Sequence, residues 1–174
     1  MINTNPKHPS DIERALSFGL TTVKFFPAEA MGGLNAIKAM AAPYVNVYFI
    51  PTGGINEANL MEYLKFPKII ACGGSWMVPE HLLRSGRFDE IETLAEAAVK
   101  KSLGLKLGHV GINTDGEQQI ALETRSIESA RKYFEQLGFR FSESTEKKDE
   151  SGSAKEICFV DGFGGFAVRL LKNS

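Results

Sequence analysis

Apolar positions recur with two periods along this chain, and the switch between them sets out its elements. Over residues 22–26 the period is two: Val23 and Phe25 share one face while Lys24 and Phe26 share the other, as in a strand. Two further runs, Val47-Tyr48-Phe49-Ile50 and Ile69-Ile70-Ala71-Cys72, are continuously apolar, and each leads into paired glycines. Between the runs the spacing widens to that of helices. Ser10 and Glu13 form a capping box around Ile12, Ala15 and Leu16, with Gly19 as terminator. Leu34, Ile37, Lys38 and Met40 mark a helix over 33–42, Asn56 caps one carrying Leu60, Tyr63 and Leu64, and Pro79 suits a first turn. Asp89 opens a longer amphipathic helix through Ile91, Leu94, Ala98 and Val99 that ends near Gly104. Apolar strands alternating with helices predict an α/β fold, with a parallel sheet covered on both faces.

Past Gly104 the pattern changes to alternating strands and a hairpin, which predicts two domains, residues 1–103 and 104–174. Residues 107–113 and 119–124 read as strands. Ser126 caps a helix carrying Ile127, Ala130, Phe134 and Leu137, and Gly138 stops it. A strand from 139, a solvated hairpin tip over the charged residues 143–150, and strands over 155–161 and 166–171 complete a small α+β module of β-α-β-β-β order.

Lys24 changes the picture from fold to chemistry. An ammonium group in a buried strand is costly, and its ordinary solution is a head that reaches water at the strand mouth. The other solution is functional: desolvation beside Phe26 favours the neutral amine, the form that attacks a carbonyl carbon to make an imine. The neighbouring loops favour the second. Thr52-Gly53-Gly54 and Gly73-Gly74-Ser75 fall at the carboxyl ends of the second and third runs, where the active groups of parallel sheets gather. Backbone N–H groups of glycines can approach an anion closely, and Ser75 adds a hydroxyl donor, so the loops suit phosphate or carboxylate.

Composition narrows the partners. An apolar share of 43% supports a buried core, and a formal net charge of -1 gives no attraction to nucleic acid or anionic membranes. No apolar run approaches the roughly 20 residues that span a bilayer, and no signal peptide is read at Met1. Cys72 and Cys158 lie in apolar runs of different segments and read as reduced core thiols, so a cytoplasmic location is expected.

Lys24-Phe25-Phe26-Pro27-Ala28-Glu29, Pro51-Thr52-Gly53-Gly54-Ile55-Asn56 and Gly73-Gly74-Ser75-Trp76, in this order and spacing, closely resemble the 2-keto-3-deoxy-6-phosphogluconate (KDPG) / 4-hydroxy-2-oxoglutarate aldolase family. The resemblance implies a (β/α)8 TIM barrel and a class I carbon–carbon lyase that releases pyruvate and an aldehyde through a lysine Schiff base. By motif, Lys24 is the imine lysine and Phe26 its pocket neighbour. Thr52 contacts the pyruvyl carboxylate end, and Gly53, Gly54, Gly74 and Ser75 cradle phosphate. The partner implied is a small keto acid or phosphorylated sugar acid, with no metal and no cofactor, because the protonated imine is itself the electron sink.

The family places this lysine on the sixth barrel strand, yet only 23 residues precede Lys24. The expected fold is therefore the C-terminal portion of the barrel, with Met1 a false start in a longer frame or the end of a split gene. The family's general acid/base glutamate and its substrate-binding arginine are expected upstream; Glu29, by its spacing, faces away from Lys24. Two readings stay open: a lyase, or a non-catalytic assembly module that pairs as a homo-oligomer or with a missing barrel half. Residues 104–174, with Gln119-Ile120-Ala121-Leu122 before a capped helix and Gly164-Gly165-Phe166-Ala167-Val168 near the end, resemble one module of the glyoxalase / vicinal oxygen chelate superfamily. That superfamily binds divalent metal through His, Gln and Glu, for which His109, Gln119 and Glu123 are the candidates here; a structural or dimerising tail is the favoured reading.

Overall fold

The computed structural model describes Pro6, residues 8–112 and residues 117–173. The chain divides into two compact units, Met1–Ala98 and Val99–Ser174, and the division falls inside the long helix Phe88–Leu103, a few residues ahead of 104.

In the first unit, β1 (Thr22–Phe25) and β2 (Tyr48–Pro51) pair in parallel, with Val23 opposite Phe49 and Lys24 opposite Ile50. Both strands alternate in burial. Val23, Phe25, Phe49 and Pro51 are buried, whereas Thr22, Lys24, Tyr48 and Ile50 on the opposite face are not. On the buried side, α1 (Pro9–Ser17) brings Ile12 and Ala15, α2 (Gly33–Ala41) brings Ile37 and Ala41, and α3 (Leu60–Leu64) brings Leu60, Tyr63 and Leu64. These meet Val23, Phe25, Val47 and Phe49 in one core. Burying each aromatic ring fully contributes roughly 1.5–3 kcal/mol.

The third apolar run does not form the expected strand. Residues 69–74 touch the sheet at two isolated parallel bridges, Phe49 with Ile69 and Thr52 with Gly73. The Ile70 N–H donates to the Phe49 carbonyl at 3.3 Å and the Gly73 N–H to the Pro51 carbonyl at 2.9 Å. Between the bridges no regular ladder forms: Ile70 is 50% exposed, and the glycines that follow disfavour strand pairing. Helix starts also differ. α1 begins at Pro9, whose missing N–H suits the first turn, and the Asp11 carboxylate accepts from the His8 N–H at 3.0 Å. Ser10 and Glu13 therefore lie within the helix. Asn56 does not cap α3; its Oδ1 accepts from the Ala58 N–H at 2.9 Å, an Asx turn ahead of the helix. Pro79 directly precedes α4 (Glu80–Arg84), and Phe88, not Asp89, opens α5 (Phe88–Leu103).

The second unit is a mixed five-stranded sheet. Its strands are β3 (Lys106–Ile112), β4 (Gln118–Thr124), β5 (Phe141–Lys148), β6 (Ala154–Phe159) and β7 (Ala167–Lys172), in the order β3-β4-β7-β6-β5. Only the β4–β7 pair is parallel, because α6 (Ile127–Gln136) and the β5–β6 hairpin separate those strands in sequence. From β4 onward the order is β-α-β-β-β, with β3 added at the edge. Asn113, expected to end the first strand, lies outside the described residues. α6 packs Ile127 and Ala130 against Phe141, Ile157 and Leu170, and Phe134 meets Phe139 and Phe159 edge to face at 5.7 and 5.2 Å. Ser126 caps α6, accepting from the Ser129 N–H at 3.2 Å.

The charged residues 143–148 are strand, not hairpin tip; β5 starts at Phe141 and runs to Lys148. As an edge strand it tolerates charge, and its charges are paired: Lys147 meets Glu156 at 2.9 Å and Arg131 holds Glu143. The turn falls at Asp149 to Ser153. There the Asp149 carboxylate, bonded to the Ser151 hydroxyl, to Lys172 and to the Ser151 and Ser153 N–H groups, is held down to about 2. A carboxyl lowered in the folded state stabilises it above the unfolded value of 3.8, and that contribution is lost as pH falls through about 2. The stability of the second unit is thus expected to fall between pH 4 and 2, and Asp149→Asn to flatten that part of the profile. Identical acid profiles for both proteins in urea titrations would refute the assignment.

Candidate active site

β1 ends at Phe25, and the turn that follows begins with Phe26, joined to Pro27 by a cis peptide. The Lys24 Nζ lies 5.4 Å from the centroid of the Phe26 ring, so the period-two alternation does place the amine beside the aromatic ring. Lys24 is half-buried rather than sealed, because the face it shares with Tyr48, itself 39% exposed, is open to solvent.

The turn after Lys24 is stitched to the loop after β2. The Thr52 N–H donates to the Phe25 carbonyl at 2.9 Å, the Ala28 N–H to the Thr52 carbonyl at 2.8 Å, and the Glu29 N–H to the Gly53 carbonyl at 3.1 Å. Gly53 and Gly54 have φ of +92° and +82°, the left-handed region that side chains other than glycine's rarely enter. Space requires glycine as well: a Cβ on Gly53 would stand 3.0 Å from the Phe26 ring, and one on Gly54 2.5 Å from the Glu29 Cγ. The third segment closes on the same loop. A Cβ on Gly73 would meet Thr52 Oγ1 at 2.7 Å, and one on Gly74 would overlap the Trp76 ring and stand 2.9 Å from the Ile55 carbonyl.

Of the expected site residues, Lys24, Phe26, Thr52 and Gly53 come together, with Gly54 continuing the loop and Gly74 reaching it through Ile55. Ser75 is exposed at the start of a 3-10 turn, Ser75–Met77. One pairing beside the loop is not legible in the sequence. The Tyr63 hydroxyl donates to the Glu29 carboxylate, and burial first, then that bond, raises the phenol well above its ordinary range. A tyrosine on the apolar stripe of a helix was the available signal, since a buried hydroxyl needs a partner.

Among the described residues no group of three or more His, Cys, Asp or Glu converges as a metal cluster. His109 is exposed on β3 opposite Ala121, while Glu123 is engaged by Lys106 at 2.7 Å.

The layout is an amine and glycine loops gathered at the carboxyl ends of adjacent parallel strands, in an α/β unit. The chain belongs to the KDPG and KHG aldolase family, whose match covers residues 5–94. It is 48% identical over 91 residues to the 2-dehydro-3-deoxy-phosphogluconate aldolase of Treponema pallidum, covering 52% of this chain and 43% of that protein. The KHG/KDPG aldolase of Escherichia coli K12 is 45% identical over 91 residues, covering 52% and 43%. Among solved structures, a KDPG aldolase from Legionella pneumophila, with pyruvate captured as a covalent carbinolamine intermediate, matches with a TM-score of 0.52 and 39% identity over 53% of this chain and 45% of that one. The chain spans less than half the length of these relatives.

Proposed function

We propose that the first unit is the imine-forming part of a class I aldolase that cleaves a 2-keto-4-hydroxy acid to pyruvate and an aldehyde. The observation that carries this reading is the convergence of Lys24, Phe26, Thr52 and Gly53 at one end of two paired parallel strands. The Lys24 amine attacks the C2 carbonyl, a proton is taken up and water leaves, giving a protonated imine. The C3–C4 bond then breaks, its electron pair passing into the imine, while the C4 hydroxyl gives up its proton and becomes the aldehyde. Protonation of C3 and hydrolysis return pyruvate and the free lysine. Thr52 holds the carboxylate end, and Gly53, Gly54, Gly74 and Ser75 receive the phosphate of a phosphorylated sugar acid. No metal or cofactor enters these steps. The proton acceptor for the C4 hydroxyl is not Glu29, whose carboxylate is taken up by Tyr63.

In this reading the protein is a cytoplasmic enzyme of sugar-acid breakdown, built on the C-terminal portion of a TIM barrel and followed by a glyoxalase-like module. Exposed apolar side chains on and beside β1 and β2, with Phe26 44%, Tyr48 39% and Ile70 50% exposed, favour self-association or pairing with a barrel half. The same surface supports the second reading, a non-catalytic assembly module.

Treatment with pyruvate and borohydride separates the two. With a fragment supplying the remaining barrel strands present, a reduced adduct is expected on Lys24 by peptide mass, and Lys24→Met removes it; adduct on surface lysines alone, unchanged in the variant, would sink the assignment. Inorganic phosphate is expected to move the NMR amide signals of Gly53, Gly54, Gly74 and Ser75 before others. Shifts scattered over residues 99–173 instead would count against the anion site.

A further inference from the structure

The first glycine loop is gripped from two sides. On one side, the Gly54 carbonyl accepts from Asn59 Nδ2 at 3.1 Å and from Asn56 Nδ2 at 3.3 Å. On the other, Glu29 binds the Gly53 carbonyl through its own N–H at 3.1 Å and lays its aliphatic stem where a Gly54 side chain would stand. The Glu29 carboxylate is fixed in turn. Tyr63, 1% exposed on α3, donates its hydroxyl to it, and α2 closes over the pair: a Cβ on Gly33 would stand 3.1 Å from the Tyr63 oxygen and 3.3 Å from Glu29 Oε1. Burial keeps the Tyr63 phenol protonated, so it remains a donor across the working pH range. Two adjacent glycines at positive φ have little conformational preference of their own, so their place is set by what holds them.

We infer that Glu29, anchored by Tyr63, is a positioning residue that sets the Thr52-Gly53-Gly54 loop against Phe26 and Lys24, and so determines how tightly the keto acid's anionic end is held. Glu29 acts through the loop and takes no part in the imine chemistry. The inference rests on the reading of Lys24 as the imine lysine and of this loop as the anion cradle. Its signature is a change in half-saturation without a change in the maximum, because a displaced loop weakens capture while leaving the amine intact.

The test uses the full chain and the variants Glu29→Ala, Glu29→Gln and Tyr63→Phe. Borohydride trapping of pyruvate is followed against pyruvate concentration, and the Gly53 and Gly54 amide signals are recorded without ligand. Glu29→Ala and Tyr63→Phe are expected to raise the half-saturating pyruvate concentration about tenfold, with trapping at saturation within about twofold. Glu29→Gln, whose amide oxygen still accepts from Tyr63, is expected to stay within about threefold of wild type. A merely structural role would lower the folded fraction and the amplitude, leaving half-saturation where it was; that result overturns the inference. Should Glu29→Ala fail to fold, Tyr63→Phe decides, since it removes one oxygen atom. If wild-type protein gives no Lys24 adduct, the aldolase reading falls while the positioning claim is still decided: displaced Gly53 and Gly54 signals in Tyr63→Phe support it, and unmoved ones overturn it.

Discussion

Expressed alone, the 174-residue chain is expected to elute larger than a monomer and to cleave KDPG near the background rate, with turnover rising by two or more powers of ten when a fragment supplying further barrel strands is added. The sheet explains both halves of this result. β1 pairs with β2, and the face bearing Lys24, Tyr48 and Ile50 is open, so apolar surface is left to associate and water reaches the amine. The Glu29 carboxylate is engaged by Tyr63, and proton transfer by a positioned side chain is in general worth about 10²–10⁴ in rate. Size-exclusion chromatography with a coupled pyruvate assay checks the prediction. A monodisperse monomer with full turnover would show that a proton acceptor is already in place and that the open face is no handicap.

The second large effect is on stability. Phe49→Ala is expected to destabilise the first unit by about 3–5 kcal/mol, the cost of a cavity under a fully buried ring. Phe49 is 0% exposed, stands opposite Val23 in the ladder and bridges to Ile69 on its other side, so little can collapse to fill the space. Tyr48→Ala, one residue earlier on the open face, is expected to cost less than about 1 kcal/mol. Urea unfolding followed through the Val23 and Phe49 amide signals measures both. Equal losses at the two positions would mean that the burial alternation along β2 is wrong.

That alternation is also where the sequence was most readable. Val23 and Phe25 against Lys24 and Phe26 is a local pattern of period two, and the folded chain keeps it because one side of the strand has a core to bury into. The run 69–76 was misleading for a related reason. Its composition is that of a strand, but composition does not reveal whether a neighbour is present along its whole length, and only Ile69 and Gly73 make bridges. Residues 143–148 erred in the opposite direction, since charge that suits a loop also suits an edge strand. The Glu29–Tyr63 bond joins residues far apart in the chain, beyond the reach of any helical or strand period, and only the packed α3 brings the phenol there. At the N-terminus of α1 the Ser10–Glu13 spacing suggested a capping box, but Pro9 already opens the helix and takes both residues inside it.

The indole of Trp76 lies against Gly74, where any side chain would collide with it, and this is the chain's single tryptophan. Its emission therefore comes from one address, the 3-10 turn Ser75–Met77 directly after Gly74. A molecule settling on the backbone of Gly74 changes what that indole touches, so occupancy of the loop can be followed optically in the unlabelled protein, without a substrate turning over.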